Sequence, residues 1–213
     1  MLGEAVEDVF GWDNKFWRTL RMMFVNPREV VVNYLNGQRG RYMNPFSLYG
    51  FLLTISVLIY TIFSVQVLEL MNGLQTSSSP IDQSGWNEQV MNYQGILSFL
   101  FLPIYTLMAY FVFRKPYNFG EHFIISVYTF SLISVFGLLS TLIGIITGNT
   151  MLYFSMSYIT MFVSYIYVYQ SIYKASIGKW VIYILKFILV LFLIMLIPLL
   201  IGIAMSIYYA TQG

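Results

Sequence analysis

The segment GEHFIISVYTFSLISVFGLLSTLIGIIT, residues 120–147, decides which class of protein this is. Apart from Glu121 and His122 at its start, it contains no acidic, basic or histidine side chain. A helix needs about 20 mostly apolar residues to cross the hydrocarbon core of a membrane, which is roughly 30 Å thick. The segment meets both conditions, and a helix satisfies its own backbone hydrogen bonds in lipid. It therefore predicts a membrane-spanning helix.

The same criterion identifies further spans on both sides of this segment. They cover residues 46–65 (with an extension as far as 71), 95–113, 151–173 and 180–207. None of these segments shows the alternation of apolar and polar residues that marks the strands of a membrane barrel. The predicted fold is therefore all-α, a polytopic membrane helix bundle with five transmembrane helices over residues 46–213.

Composition supports the same class. Of the 213 residues, 58% are hydrophobic and only 9% are charged, whereas an average soluble domain has about 25% charged residues. So few charges cannot cover a water-exposed surface, and a disordered chain would need more of them. Cysteine is absent, which excludes disulfides and thiolate chemistry. The low share of charged residues excludes a soluble globular enzyme.

The positions of the basic residues predict the orientation in the membrane. Six of them precede the first span, and the others are Arg114, Lys115, Lys174, Lys179 and Lys186. The connections at 66–94 and 148–150 contain no lysine or arginine. Because basic residues concentrate in cytoplasmic connections, we expect a cytoplasmic N-terminus and an outside C-terminus. Glu4, Glu7 and Asp8 are unlike a signal peptide, so the first span is expected to direct its own insertion.

Residues 1–45 are predicted to form a cytoplasmic segment with two amphipathic helices. Between residues 6 and 24, aromatic and aliphatic residues recur on one helical face and cations on the other, which is the composition of an interfacial helix. This helix either lies on lipid or packs against the bundle. A second helix is expected at 27–36, with Asn26 and Glu29 capping its start and Gly37 as a left-handed residue at its end. The same spacing of Asn118 and Glu121 predicts a cap before the third span.

Three basic residues are candidates for contact with a lipid headgroup or another anion. Arg39 and Arg41 flank a glycine just before the first span, and guanidinium groups match phosphate oxygens well. Lys186 lies inside the fifth predicted span, where its side chain can extend towards the interface. The alternative for the two arginines is that they only set the orientation of the chain, and the alternative for Lys186 is that its side chain extends to the interface without binding an anion.

Glu121 and His122 stand at the cytoplasmic end of the third span. Glu121 is expected either to cap this helix or to pair with Arg39, Arg41, Arg114 or Lys186 in a polar belt under the bundle. Adjacent residues on a helix point in different directions, so sequence adjacency alone does not make them one site. No carboxylate lies at the middle of a predicted span, which argues against an ion-coupled transporter.

Small and tyrosine residues mark further packing positions. Ser140, Gly144 and Gly148 form a ladder of small residues that permits close approach of a helix from this chain or from another subunit. Tyr165 and Tyr169 belong to a polar stripe on the fourth span, and we interpret it as helix packing in preference to a cavity lining.

Two motifs resemble those of a bacterial family of polytopic membrane proteins of unknown function. The first is Tyr34-Leu-Asn-Gly-Gln-Arg-Gly-Arg-Tyr-Met-Asn-Pro-Phe46, which is similar to the family pattern Y-(L/I)-x-G-(K/Q)-R-x-x-Y-x-x-P-F. The second is Asn118-Phe-Gly-Glu-His122, similar to N-(F/Y)-x-E-H. The resemblance implies a membrane-embedded helical fold in a bacterial inner membrane and no established reaction. Many members carry an N-terminal zinc ribbon, which a sequence without cysteine does not have.

Catalytic signatures are absent from the sequence, including metalloprotease, hydrolase and phosphate-loop motifs. We therefore expect no enzyme, no metal, no cofactor and, with a net charge of only +2, no nucleic-acid partner. The leading hypothesis is a subunit or scaffold of a membrane protein assembly, whose partners are the lipid bilayer and a protein or second copy of the chain. The alternative is a passive channel, or a lipid- or small-solute-handling protein, with a polar site near Arg39, Arg41, Glu121 and Lys186. An enzyme that uses Glu121 and His122 is a third hypothesis.

Overall fold

A computed structural model of the protein describes residues 15–73, 84–190 and 192, and this part of the chain is helical without strands. In chain order the helices are α1 (15–25), α2 (Pro27–Leu35), α3 (Pro45–Ile62), α4 (Ser64–Asn72), α5 (Ser84–Phe113), α6 (Phe119–Thr147), α7 (Thr150–Tyr173) and α8 (177–190). The all-α prediction is confirmed for these residues.

Four of the described helices, α3, α5, α6 and α7, are long and apolar enough to cross a membrane. They correspond to the first four predicted spans, and they are what an integral membrane protein requires. The fifth predicted span, 180–207, begins within α8, and most of its remainder lies outside the described residues. The first predicted helix likewise begins outside them, before residue 15.

The first predicted span ends earlier than expected. Helix α3 stops at Ile62, and after a turn at Phe63 the separate helix α4 begins, so the extension towards residue 71 is wrong. The turn redirects the chain so that Val67 and Leu70 of α4 become buried. Leu70 reaches Gly144 on α6. Burial of Val67 and Leu70 is the physical reason for the break.

The second predicted span begins earlier than expected. Residues 84–94, predicted as part of the connection 66–94, instead form the first turns of α5, which runs unbroken to Phe113. The side-chain amide of Asn87 donates hydrogen bonds to the Met71 carbonyl oxygen at 3.2 Å and to the Asn72 side chain at 2.8 Å. These bonds attach the start of α5 to the end of α4. Of the predicted loop, residues 74–83 lie outside the described part.

Helix α6 lies at the centre of the bundle, in contact with α2, α3, α4, α5 and α7. Its start carries the predicted cap. The Asn118 side chain accepts a hydrogen bond from the Glu121 N–H at 2.9 Å, and the Glu121 carboxylate accepts one from the Asn118 N–H at 2.7 Å. The helix ends at Gly148, whose φ of +61° is readily adopted by glycine.

Helices α1 and α2 pack against the bundle. Phe16 and Met23 of α1 are buried in the same core cluster as Ile125 of α6 and Val168 of α7. The Phe16 ring lies 5.0 Å from that of Phe51 on α3, centroid to centroid. The amphipathic pattern left open whether α1 lies on lipid or packs against the bundle. Its buried apolar residues pack against the bundle.

Candidate functional site

Two features meet at one end of the bundle, and together they form the candidate site. We call this end the basic end, because it carries Arg114, Lys115, Lys174 and Lys179 at the ends of α5, α7 and α8. The first feature is the N-terminal collar, defined as residues 15–44 with helices α1 and α2. The second is the aromatic cluster, defined as Phe113, Tyr165, Tyr169, Tyr173, Trp180 and Tyr183.

A continuous chain of hydrogen bonds joins α1 to the centre of the bundle. The Thr19 hydroxyl donates to the Lys15 carbonyl oxygen at 2.7 Å and accepts from the Met43 N–H at 2.8 Å. The Met43 carbonyl oxygen in turn accepts from the Tyr128 hydroxyl of α6 at 2.8 Å. Thr19, Met43 and Tyr128 are all buried, so these bonds replace water for groups that cannot reach it.

A second set of bonds joins the collar to α7. The Arg28 guanidinium donates to the Ile172 carbonyl oxygen at 2.7 Å, and the Arg28 N–H donates to the Ser171 hydroxyl at 3.1 Å. Ile172 lies in the last turn of α7, where helix carbonyls lack partners within the helix. Earlier in α7, the Tyr167 hydroxyl donates to the Phe24 carbonyl oxygen at 2.6 Å. The collar is therefore fixed to α6 and α7 through backbone atoms as well as side chains.

The predicted cap at the start of α2 is wrong. The Asn26 side chain makes no capping bond, and Glu29 is occupied elsewhere. Its carboxylate accepts a hydrogen bond from the Tyr42 hydroxyl at 2.7 Å and lies 3.3 Å from the Arg41 guanidinium. Glu29 thus connects α2 to the turn that leads into α3, an arrangement that local spacing does not reveal. The predicted left-handed residue Gly37 is confirmed, with a φ of +87°.

Tyr42 is buried, with 2% of its surface exposed. Burial raises the pKa of the Tyr42 hydroxyl, and the hydrogen bond and negative charge of Glu29 add to the rise. The hydroxyl therefore stays protonated at neutral pH and remains a donor to Glu29. This keeps the turn closed against α2.

The three predicted anion-contact residues do not come together. Arg41 pairs with Glu29, and its guanidinium carbon lies 5.4 Å from the Tyr42 ring centroid. Arg39 lies at the same distance, 5.4 Å, from the Tyr34 ring centroid. Both arginines are exposed on the turn of the collar, and Lys186 is exposed on α8. No contact described in the structure joins Lys186 to either arginine.

Glu121 and His122 also point to different surroundings. Glu121 is held in the cap of α6, whereas His122 is fully buried. The His122 Nε2 atom lies 3.2 Å from the Tyr173 hydroxyl, and its ring meets the edge of Tyr110 at 5.6 Å between centroids. Its Nδ1 atom is buried and has no hydrogen-bond partner among the described residues. The two residues do not form one site, and no group of three His, Asp or Glu side chains suited to a metal occurs in the described ranges.

The aromatic cluster is centred on Phe113, the last residue of α5. Its ring stacks on Tyr169 of α7 with 4.5 Å between centroids and lies 4.7 Å from Tyr183 and 5.9 Å from Trp180 of α8. Tyr165 stacks on the other side of this arrangement, 4.5 Å from Tyr169. The cluster therefore joins α5, α7 and α8. Tyr165 and Tyr169 were recognised in the sequence, but Tyr173, Tyr183 and Trp180 were not. Phe113 was also missed, because its only local signal is an aromatic residue beside two cations.

An apolar groove of about 340 Å³ runs along the aromatic cluster between α7 and α8. Its walls include Phe162, Tyr165 and Ile166 from α7, and Tyr183, Ile184 and Phe187 from α8. Trp180 also lines it, and the indole Nε1 atom of this residue is buried and has no hydrogen-bond partner in the described part of the chain.

Comparison with known proteins gives a match that falls on the collar and the start of α3. Residues 13–57 match the model of a family described as a protein of unknown function (DUF3667). No curated protein and no solved structure matches the chain. The DUF3667 match covers the described parts of the collar and most of α3, so the segment with a recognisable family pattern is the one that the hydrogen bonds above attach to the bundle.

Outside the DUF3667 match, the small-residue ladder of α6 packs within the chain. Ser140 is fully buried. A Cβ placed on Gly144 would lie 2.9 Å from a methyl group of Leu70 and 3.0 Å from Cβ of Tyr153. The neighbours of Gly144 are thus α4 and α7, while Gly148 ends the helix and has no neighbour within 4 Å of such a Cβ.

Proposed function

We propose that this protein is a non-enzymatic membrane protein of the bacterial inner membrane, which acts as a subunit or scaffold of a membrane protein assembly. The observation that carries the proposal is the division of α1 into two faces. Thr19 and Met23 on one face are buried against the bundle. The other face exposes Trp17, Arg18 and Arg21, which surround a shallow concavity of about 440 Å³.

This exposed face has the properties of a protein-binding surface. Tryptophan and arginine are the side chains that most often dominate the free energy of protein–protein binding. Trp17 is 63% exposed, although a large aromatic ring gains by burial. Because hydrogen bonds on the opposite side hold α1 in place, binding does not have to order this helix, and less conformational entropy is lost.

The proposed orientation places this face in the cytoplasm. The collar packs at the basic end of the bundle, because Arg28 binds the Ile172 carbonyl oxygen two residues before Lys174. Basic residues of short connections stay in the cytoplasm during insertion. The N-terminus and the exposed face of α1 are therefore assigned to the cytoplasmic side.

The proposal is tested by native mass spectrometry of the protein extracted from its own membranes in a mild detergent. A stoichiometric second subunit, or a second copy of the chain, is expected to remain bound. The double variant W17A/R21E should lose it while the thermal unfolding midpoint stays unchanged. Ile62→Ala, which trims an exposed side chain at the opposite end of α3, is the matched control and should retain the partner.

A photoreactive amino acid at position 17 supplies an independent measurement in native membranes. Cross-linking from position 17 should capture the same partner that mass spectrometry identifies, and cross-linking from position 62 should not. The assembly function is wrong if the extracted protein is a lone chain and position 17 captures no protein.

A further inference from the structure

We propose that the apolar groove between α7 and α8 is a binding site for an anionic phospholipid. One acyl chain lies along the groove, and the phosphate lies at the basic end, beside Lys174 and Lys179. This inference is independent of the proposed assembly function, because the groove and the exposed face of α1 share no residue.

The lining of the groove fits an acyl chain. It consists of aromatic and branched aliphatic side chains, such as Phe162, Ile166 and Ile184, from α7 and α8, together with Phe113 of α5. Its volume of about 340 Å³ is within the range of clefts that hold small ligands, which begins at about 300 Å³. The groove lies between helices of a membrane bundle, where the surrounding liquid is lipid and an acyl chain is the abundant apolar occupant.

Trp180 supplies a polar contact at the edge of this apolar surface. Within the described part of the chain its indole N–H has no acceptor, and it is shielded from water. A buried donor without a partner costs free energy, and the cost disappears when an acceptor arrives. The ester and phosphate oxygens of a phospholipid are acceptors, and they stand directly above the acyl chains.

The charges at the basic end select an anionic headgroup. Lys174 follows the last residue of α7, and Lys179 lies one helical turn before Tyr183, which lines the groove. Arg114 follows Phe113, the centre of the aromatic cluster. All three are exposed, and within the described ranges none of them forms an ion pair. Glu121, the acidic residue of the neighbouring cap, is occupied by its bonds to Asn118.

These features favour a lipid over a protein helix as the occupant. An acyl chain fills a narrow apolar channel, and the headgroup attached to it supplies an anion for the cations beside the channel. An apolar protein helix would leave these cations without an anionic partner. Lysine and arginine near the membrane surface each attract anionic lipid, and together with an apolar channel they distinguish a bound lipid from the general lipid layer around the protein.

The test uses Trp180 as a reporter in the full-length protein. Trp12, Trp17 and Trp86 are replaced by phenylalanine, so that Trp180 is the only tryptophan left of the four. The protein is reconstituted in phosphatidylcholine vesicles that contain increasing fractions of phosphatidylglycerol with brominated acyl chains, which quench tryptophan on contact. The matched measurement uses brominated phosphatidylcholine. Quenching is expected to show an at least fivefold preference for phosphatidylglycerol.

Two variants locate the preference. K174Q/K179Q should reduce it by about fivefold or more, since one interfacial cation contributes about that factor. K15Q/R21Q, which removes two cations from α1, is the control and should leave it unchanged. Ile184→Phe, which narrows the groove, should weaken quenching by both lipids, whereas Leu100→Phe on the lipid-facing surface of α5 should not.

Three results would overturn the proposal. Equal quenching by the two brominated lipids means that Trp180 meets only the general lipid layer. Absence of quenching by either lipid means that protein covers the groove. Loss of the preference when inorganic phosphate is added means that the cations bind a free anion. None of these results depends on whether a partner subunit is found at α1.

Discussion

The Tyr128 hydroxyl of α6 donates a hydrogen bond of 2.8 Å to the carbonyl oxygen of Met43, the residue that links the collar to the first membrane helix. Tyr128 is fully buried, and Met43 is 4% exposed. The Met43 N–H is used by Thr19 of α1. Met43 thus accepts a hydrogen bond from α6 and donates one to α1. This single residue connects α1 to the centre of the bundle.

Tyr128→Phe is expected to loosen the collar. The change removes the donor and leaves the Met43 carbonyl oxygen buried without a partner, at a cost of about 1–3 kcal/mol. A lower thermal unfolding midpoint in detergent and faster tryptic cleavage at Arg39 or Arg41 would show it. Tyr158→Phe removes the same group from a 58% exposed position on α7 and should change neither quantity.

Gly144→Ala is expected to destabilise the bundle through overpacking. The added methyl group would come within 3.0 Å of Leu70 and Tyr153, and such crowding typically costs about 1–3 kcal/mol. Gly137→Ala on the same helix meets no atom within 4 Å, and alanine is the better helix former. Thermal unfolding should therefore separate the two variants, with Gly137→Ala equal to or above the parent protein. Equal midpoints for both would contradict the close approach of α4 and α7 to Gly144.

Two substitutions of Glu29 should differ in how much they lower the free energy of unfolding. Glu29→Gln removes the charge opposite Arg41, whose side chain is 58% exposed, so we expect a loss of less than about 1 kcal/mol. Glu29→Leu also removes the acceptor of the buried Tyr42 hydroxyl, which adds about 1–3 kcal/mol. Chemical denaturation of the two variants measures the difference. If Glu29→Gln were as destabilising as Glu29→Leu, the charge rather than the Tyr42 bond would hold the turn.

Phe113→Ala is expected to separate α8 from α5 and α7. The buried ring contacts aromatic residues on both neighbouring helices, and truncating such a side chain costs about 3–5 kcal/mol. Phe111→Ala, two residues earlier and 58% exposed, is the control. Unfolding midpoints and the proteolytic susceptibility of the α7–α8 connection report the effect. A Phe113 variant that behaves like the Phe111 variant would mean that α8 does not depend on the cluster.

The proposed orientation predicts the reactivity of single cysteines. The chain contains no cysteine, so Gln38→Cys and Asn149→Cys, both at exposed positions, can be labelled without background. A membrane-impermeant maleimide added to intact cells should modify position 149 and not position 38. In inverted membrane vesicles the pattern should reverse. Labelling of position 38 in intact cells would disprove the assignment of the basic end to the cytoplasm.

Sequence patterns predicted the four described spans well wherever the boundary depends on local chemistry. Helices α6 and α7 begin and end within one residue of the prediction, because a charged or glycine-containing connection limits the apolar run at each end. The break after Ile62 has no such signal. Phe63 is neither proline nor glycine, and the turn there exists because Leu70 packs against Gly144, a residue far away in the sequence.

The two caps show the same contrast within the candidate site. The Asn-x-x-Glu spacing occurs at Asn118 and at Asn26, and only Asn118 forms the predicted pair of bonds. At Asn26 the carboxylate of Glu29 has better partners in Tyr42 and Arg41, which the fold brings close. Local spacing therefore identifies which bonds a carboxylate can make, and tertiary contacts decide which of them it makes.

The length of α3 has a consequence for the membrane itself. Its 18 residues extend about 27 Å, whereas the 29 residues of α6 extend about 43 Å. Ile62, at the end of α3, is 71% exposed. Because a short apolar helix is accommodated by local thinning of the lipid, we expect the bilayer to be thinner beside α3 than elsewhere around the protein. Such hydrophobic mismatch favours thin membrane regions and favours association with other membrane proteins on the side of α3.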